Sequence, residues 1–451
     1  MFDAVKEFAA RHRPGSAVGS PAAPAPAPAP APAQNAAAAE VAARPAAAVV
    51  SIAGPTAAAD AKHMARALAL AAKGINSTHP NPRVGCVVVA GGAVVGEGWH
   101  RAAGGEHAEI AALRQAGKRA AGATLYSNLE PCSHHGRTPP CADAVIAAGI
   151  GRAVIAMYDP NPRVDGVGAL RRAGVEVTVG VGARAAAQLN RGFCARFSVG
   201  RPWVTLKMAA SLDGKTALAD GRSQWITGPA ARRDAHRLRA ASSAILTGIG
   251  TVLRDDPRLT VRLGARRDGK LATGRQPLRV ILDSHLSTPP RAKILRAPGN
   301  ALLITTAAEA AAIGLLRGPG VEVLVCRAAG RRIDLAQVMR ELAAREVNDL
   351  LVEAGPQLSG ELLRQGLVDQ VVVYLAPDLL GGGGAREMFD LPGLESLDDR
   401  HRLQFADLRR VGRDLRLTLD VAGGDSAGES VGAAGAAGAA TVADPAQPPR
   451  N

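Results

Sequence analysis

The sequence predicts an α/β chain of two consecutive domains, each a sheet whose strands alternate with helices. Three observations carry this. Apolar strand-like runs such as CVVVA, ATLYSNLE and RAVIAM alternate with helical stretches in the first half, and LRVILDS, NALLITT, VEVLVC and DLLVEAG do so in the second. A length of 451 residues suffices for about two or three domains with cores of their own. With 47% hydrophobic but only 3% aromatic residues, those cores must be built from Ala, Val, Leu and Ile.

In chain order, residues 1–59 are unlike the rest. MFDAVKEFAARHR suits one short amphipathic helix with Phe2, Val5 and Phe8 near one face, and the Pro-Ala alternation that follows favours extended polyproline II. This segment is expected to be a disordered Ala/Pro-rich extension. The first domain is expected over 60–200. DAKHMARALALAAKG reads as a helix with Asp60 as N-cap and Gly74 as stop. A hairpin follows, CVVVA turning at Gly91-Gly92 into AVVGEGWH. HAEIAALRQAG is a helix, ATLYSNLE a strand, ADAVIAAGI a helix stopped at Gly149, and RAVIAMYDPNP and VEVTVG two more strands. Gly180 to Ala185 matches GxGxxA, but a dinucleotide fold needs an acidic residue about 20 positions later. None occurs between Glu176 and Asp213, so the match reads as a glycine turn before a short helix.

The second domain is expected over 201–422, opening on the strand WVTLKMAAS. RRDAHRLRAASSAILTGIGTVLRDDPRLTVR adds a helix, a strand and a Gly-rich turn; LAQVMRELAAREV is helical, and QVVVYLAPDLLGG and LRLTLDVAG close the set of strands. The low-complexity tail over 423–451 is expected to be disordered.

Chemistry concentrates between His107 and Cys141. A His, a Glu two residues later, and a Pro-Cys followed by a second Cys after eight intervening residues form a zinc-deaminase constellation, although the common signature has about two residues between the cysteines. His107, Cys132 and Cys141 would offer one imidazole and two thiolates to zinc and leave the fourth tetrahedral position open for water. Glu109 would move protons between that water and the departing amine. A helix starting at or just before Cys141 would favour its thiolate. A structural zinc closed by His134 or His135, or simply buried thiols, is the alternative, but neither gives Glu109 a purpose.

The five cysteines (Cys86, Cys132, Cys141, Cys194, Cys326) show no disulfide framework, and no long apolar run occurs. A reduced, soluble, cytoplasmic protein is expected, with no membrane partner. The net charge is +14, but the basic residues are spread along the chain rather than interleaved with aromatics, which argues against a nucleic-acid partner.

Between 60 and 422 the sequence resembles the bifunctional deaminase–reductase family of riboflavin biosynthesis. The first half carries this in HPNPRVGCVVV, GEGWHRAAGGEHAE, LEPCSHHGRTPPC and YDPNPRVDGVG. The second carries it in LKMAASLDGKTA, SQWIT, AILTGIGTVLRDDPRLTVR, LLVEAGPQLSGELL and LAPDLLGG. The resemblance implies a cytidine-deaminase-like three-layer α/β/α domain followed by a dihydrofolate-reductase-like α/β domain, using Zn²⁺ and NADPH. It implies deamination of 2,5-diamino-6-ribosylamino-4(3H)-pyrimidinone 5′-phosphate, then reduction of the ribosyl to a ribityl group. By motif, Ala209, Trp225, Thr251, Asp255 and Ser284 fall at NADP-contacting positions, as do Gly355, Pro356, Gln357, Leu358, Ser359, Gly360 and Glu361. Ser223, Arg239, Leu259, Arg262 and Glu353 fall where the family meets substrate, and the two arginines suit a phosphate ester. Asp213 is either a turn residue or an aid to orienting the ribose. Asn128 stands where the family usually has Thr, and Ala354 where it has Gly, which would narrow the approach to NADP. The loop of His134, His135 and Arg137 is expected to contact the ribose phosphate. A homo-oligomer acting on a small phosphorylated pyrimidine is the expectation. The rivals are a monofunctional deaminase with a non-catalytic second domain and a nucleic-acid deaminase, the latter poorly served by three Trp, three Tyr and six Phe.

Overall fold

A computed structural model of the chain describes residues 55–134, 139–264 and 275–422. The Ala/Pro-rich segment before Pro55, the loop tip with His135 and Arg137, and the tail after Ala422 lie outside the described residues.

The first sheet has five strands: β1 (Gly85–Ala90), β2 (Ala93–Trp99), β3 (Thr124–Ser127), β4 (Arg152–Ile155) and β5 (Glu176–Val179), in the order β2-β1-β3-β4-β5. β2, β1 and β3 are antiparallel; β3, β4 and β5 are parallel. Side chains alternate across it. Cys86, Val88, Leu125, Ala153 and Ile155 pack on helices α2 (Ala108–Ala116), α3 (Cys141–Ala147) and α4 (Gly166–Arg172). Val87, Val89, Tyr126 and Val154 face α1 (Pro55–Ala72) and α5 (Ala183–Leu189) on the other side. This is the layered α/β sheet the strand–helix alternation predicts, in the three-layer α/β/α form that the family resemblance implies. The β1–β2 hairpin turns on Gly91 and Gly92 with φ of 55° and 77°, the pair of positive values a two-residue hairpin loop demands. Gly96 and Gly98 have another purpose: a Cβ there would lie 2.2 and 2.5 Å from the Ala112 and Ala108 carbonyls, so α2 is seated against bare backbone.

Asp60 is not an N-cap. The helix is already formed at Pro55, and Asp60 is buried within it, where its carboxylate accepts from Tyr126 Oη at 2.8 Å and from both Arg152 amino groups at 2.9 and 2.8 Å. An acidic residue at the head of an apolar period looks the same in sequence whether it caps the helix or ties it to a neighbouring strand.

The second sheet has nine strands: β6 (Trp203–Ser211), β7 (Ala244–Gly248), β8 (Leu278–Leu282), β9 (Ala301–Thr305), β10 (Val321–Val325), β11 (Asp349–Val352), β12 (Gln370–Ala376), β13 (Leu403–Val411) and β14 (Asp414–Val421). Their order is β10-β9-β8-β7-β11-β6-β12-β14-β13. β10 through β12 pair in parallel, and the β13–β14 hairpin closes one edge antiparallel. Both faces of the parallel part are covered, so its strands read as unbroken apolar runs. Val204, Leu206, Leu246, Leu302 and Val352 pack on one face with Val338, Met339 and Leu342 of α9 (Leu335–Ala344). Ile245, Ile281, Leu303 and Leu351 pack on the other. The strand β13 was not foreseen, because all but its last residue are exposed and no alternation marks it; only its pairing with β14 defines it.

The two sheets share a buried polar seam. His79, before the first sheet, donates from Nε2 to the Ala241 carbonyl at 2.9 Å, and its Nδ1 accepts from Ser243 Oγ at 2.8 Å, partners that assign the neutral Nε2–H tautomer. Burial pushes its pKa down to about 4, against the opposing pull of Asp349 3.9 Å away. The unfolded chain therefore binds a proton at His79 below about pH 6.5 that the folded chain refuses, so stability falls as pH drops from there toward 4. A loss of roughly 2–4 kcal/mol is expected across that window. Urea midpoints at pH 7 and pH 5 should fall less steeply for His79→Gln than for the wild type; equal slopes would refute this.

Candidate active sites

In the first domain, three elements converge at the C-terminal side of the sheet. His107 is the residue immediately before α2, Cys132 follows β3, and Cys141 is the first residue of α3. One ligand atom from each lies within 4.8 Å of the others. His107 Nδ1 is 3.1 Å from Cys141 Sγ and 3.6 Å from Cys132 Sγ. The edges of a zinc tetrahedron with one nitrogen and two sulfurs are about 3.5–3.8 Å, so the three atoms need to open only slightly to hold the ion. Electrostatics also fit a dication. Hydrogen bonds from Cys141 and then His107 hold the Cys132 thiol down to about 4. The same contact with Cys132 pushes the Cys141 thiol far up, so the pair carries one negative charge until a cation compensates the second.

Glu109 is in the first turn of α2 and 4% exposed. Burial, followed by the charge of Cys132, pushes its carboxyl up to about 7 despite the opposing effect of a backbone hydrogen bond. A carboxyl poised there both accepts and returns a proton at neutral pH. His134 is exposed, and no fourth His or Cys joins the cluster among the described residues; His135, the other residue considered for closing a structural shell, lies outside them. Asn128, 0% exposed, anchors the floor: its Oδ1 accepts from Gly85 N at 2.8 Å and its Nδ2 donates to the Arg83 carbonyl at 3.0 Å. Asn81 and His100 also belong to this wall and were not singled out as site residues from sequence. Asn81 Nδ2 meets His100 Nε2 at 3.0 Å, and the His100 ring stands edge-on to His107 with centroids 5.4 Å apart. A His and an Asn in polar loops flanking an apolar hairpin were the available signal.

In the second domain a cavity of about 850 Å³ opens at the C-terminal ends of β7 and β11 and along α7 (Pro229–Ala241). It is lined by Ala209, Ser223, Trp225, Arg239, Thr251, Asp255, Leu259, Arg262, Glu353, Gly355 and Pro356, all anticipated as cofactor or substrate positions. Ala354 lines it too. The rest of α10 (Pro356–Arg364) turns away. Gln357 and Leu358 are absent from the lining, Ser359 is fully buried, Gly360 packs so tightly on Asp390 that a Cβ would be 1.8 Å from its carbonyl oxygen, and Glu361 is paired with Arg364 and Gln365. Ser284 stands apart: its carbonyl accepts from Thr305 and Thr306, and its neighbour His285 lines a second cavity of about 450 Å³.

Arg239 is not free for a phosphate. Its Nε and Nη2 donate to Glu353 Oε1 and Oε2 at 2.6 and 2.9 Å, and Nη1 donates to the Thr260 carbonyl at 3.2 Å. Against burial, which would raise it, Arg239 and Lys207 hold the Glu353 carboxyl down to about 2. Lys207 lies 3.7 Å from that carboxylate and was missed from sequence; a lysine inside an apolar strand was the clue. His236, one turn before Arg239, was missed as well: burial, then the charges of Arg239 and Arg262, depress its pKa to about 4, and its Nδ1 accepts from Arg262 N at 3.2 Å. Trp225, 65% exposed, has the Arg232 guanidinium 4.5 Å from its ring centroid. Asp213 does not line the cavity; it accepts from Ser211 Oγ, Leu380 N and Gly381 N, which makes it a turn anchor.

Comparison with known proteins follows the same division. Residues 57–157 match the cytidine and deoxycytidylate deaminase zinc-binding region, and residues 202–417 match the RibD C-terminal domain. The riboflavin biosynthesis protein RibD of Escherichia coli is 48% identical over 368 residues, covering 80% of this chain and 99% of that protein. The chain belongs to the RibD family. The family's protein from Aquifex aeolicus is 42% identical over 79% of this chain and 97% of its own length. Acinetobacter baumannii RibD superposes with a TM-score of 0.74 at 42% identity, covering 81% of this chain and 99% of that one. A Thermotoga maritima structure described as a diaminohydroxyphosphoribosylaminopyrimidine deaminase/5-amino-6-(5-phosphoribosylamino)uracil reductase does so at 0.72 and 33% identity, with the same coverage. Family membership brings zinc to the first domain and NADPH to the second.

Proposed function

We propose that the chain performs two consecutive steps of riboflavin biosynthesis. It hydrolyses the amine from 2,5-diamino-6-ribosylamino-4(3H)-pyrimidinone 5′-phosphate, then reduces the ribosyl group to give 5-amino-6-(5-phospho-D-ribitylamino)uracil. The observation that carries this reading is the buried Glu109 beside the convergent His107, Cys132 and Cys141, on one chain with a polar reductase cavity.

His107, Cys132 and Cys141 would hold the zinc, which when bound supplies the Lewis acidity that makes water a nucleophile at neutral pH. Glu109 removes a proton as the water adds to the ring carbon and delivers one to the amine, which leaves as ammonia. In the second domain, NADPH when bound supplies the hydride. Gly355, the N-cap of α10, would meet its phosphates with its backbone N–H and the helix dipole, while Pro356, which has no N–H, would line the contact. Ala209, Trp225, Thr251 and Asp255 would line its path, and Ser284, with the adjoining second cavity, would meet its far end. Ser223, Leu259, Arg262 and the Glu353–Arg239 pair would hold the substrate, with Arg262 left as the phosphate partner because the Arg239 fork is engaged. Zinc-loaded protein given the diaminopyrimidine phosphate should release ammonia without NADPH and consume NADPH only afterwards. No ammonia release would end the deaminase reading, and no NADPH binding would end the bifunctional one.

A reducing, cytoplasmic setting suits a site that needs Cys132 and Cys141 as thiolates. Among the described residues, no helix is long and apolar enough to cross a membrane. A homo-oligomer is supported by the open edge strand β13, where Phe405 and Leu408 are 70% and 60% exposed. Phe405→Glu should lower the mass measured by light scattering; an unchanged mass would remove β13 from the interface.

A further inference from the structure

The five residues His79–Arg83 form a bridge held by different domains at its two ends. At Arg83 the deaminase domain does the holding: the main-chain N–H donates to Asn190 Oδ1 at 2.8 Å, and the carbonyl accepts from Asn128 and Asn190 Nδ2 at 3.0 Å each. At His79 and Pro80 the partners come from the reductase domain. His79 is clamped between the Ala241 carbonyl and Ser243 Oγ, and the Pro80 carbonyl accepts from Asn348 Nδ2 at 2.6 Å. Asp349 joins both ends. Its carboxylate takes Arg83 Nη2 at 2.8 Å and stands 3.9 Å from His79, while its main-chain N–H donates to the same Ser243 Oγ. Although buried, it stays ionised because the Arg83 and Arg191 guanidinium groups lie close to it.

At the middle of the bridge is Asn81, whose Nδ2 donates to His100 Nε2 at 3.0 Å. The other ring nitrogen of His100 donates to the Glu106 carbonyl at 3.0 Å, the residue immediately before His107. The ring packs edge-on against His107. Each step is a hydrogen bond or ring contact, centred on the buried His100, so a shift of the bridge moves Asn81 and, with it, the wall that sets His107.

We propose that Asp349, a residue of the reductase domain, is a positioning residue for the deaminase site, acting through the His79–Arg83 bridge and Asn81. The deaminase site is then complete only when the second domain is docked. This rests on the deaminase reading of the His107 site, and the two fail separately.

The test uses the full-length protein with zinc or cobalt bound. Asp349→Asn should raise KM or lower kcat for ammonia release by about 10–100-fold, the usual effect of removing a residue that orients a metal ligand, with one metal per chain retained. Turnover of the deaminated intermediate with NADPH should be unchanged. In a double-mutant cycle, Asn81→Ala and Asp349→Asn should be non-additive, the pair losing little more than Asn81→Ala alone. The visible spectrum of the cobalt form should shift in Asp349→Asn without any substrate present. A folded variant with wild-type ammonia release and an unshifted cobalt spectrum would overturn the proposal, as would equal losses in both activities or additivity with Asn81→Ala. Where Asp349→Asn does not fold, Ser243→Ala, which removes the hydroxyl shared by His79 and Asp349, is judged by the same outcomes. If the wild type itself releases no ammonia, the deaminase reading fails, and the cobalt spectrum still decides whether Asp349 sets the site.

Discussion

Replacing Glu109 with glutamine is expected to reduce ammonia release by about 10²–10⁴-fold in kcat while zinc content stays at one per chain and NADPH-dependent turnover of the deaminated intermediate continues. Glutamine keeps the volume and a hydrogen-bonding head in the first turn of α2, so the buried site does not collapse, but it cannot carry a proton. The size of the loss follows from the carboxyl's environment. Burial has lifted it to about 7, where its two protonation states are nearly balanced and a proton is both taken and given with little driving force wasted. Ammonia release, metal analysis and NADPH consumption on one preparation decide the matter. Normal ammonia release would remove Glu109 from the mechanism. NADPH consumption by this variant on the undeaminated compound would instead reverse the proposed order of the two steps.

The zinc site was legible because its chemistry sits in contiguous motifs. His107 and Glu109 share one helix start, and Cys132 and Cys141 flank one loop, so residue type and spacing already implied convergence. The parallel strands were legible for a related reason, since a strand covered on both faces has no room for polar residues. What escaped is what only the third dimension defines. Asp60 has the composition of a cap and the function of a buried tie, because Arg152 and Tyr126 come to it from distant strands. β13 has no buried face to leave a periodic trace. Arg239 and Arg262 looked alike as phosphate partners, and only the fold shows that one of them is already bound to Glu353. The seam of His79, Arg83 and Asp349 joins residues 266 or more apart, apart from its own short-range contacts, and no local pattern announces it.

Glu353→Gln is expected to be the most damaging change in the reductase domain. The carboxylate is buried, takes both arms of the Arg239 fork and lies near Lys207, so removing its charge leaves two buried cations facing a neutral amide with no compensating negative charge. Breaking a buried pair from one side costs about 3–5 kcal/mol, which as a transition-state loss is about 10²–10⁴-fold in kcat/KM. Deamination should be spared, since Glu353 lines the 850 Å³ cavity of the second domain and the zinc ligands belong to the other sheet. Arg239→Ala should reproduce most of the effect, because it leaves the same carboxylate buried without its bidentate partner. Arg262→Ala should behave differently, raising KM for the phosphorylated substrate with little change in Tm, since the Arg262 side chain is exposed at the rim. The two patterns separate roles that look identical in sequence. If Glu353→Gln lowers Tm but turns over normally, the pair is a staple for the end of β11, and the polar chemistry of the cavity falls to Lys207 and Ser223.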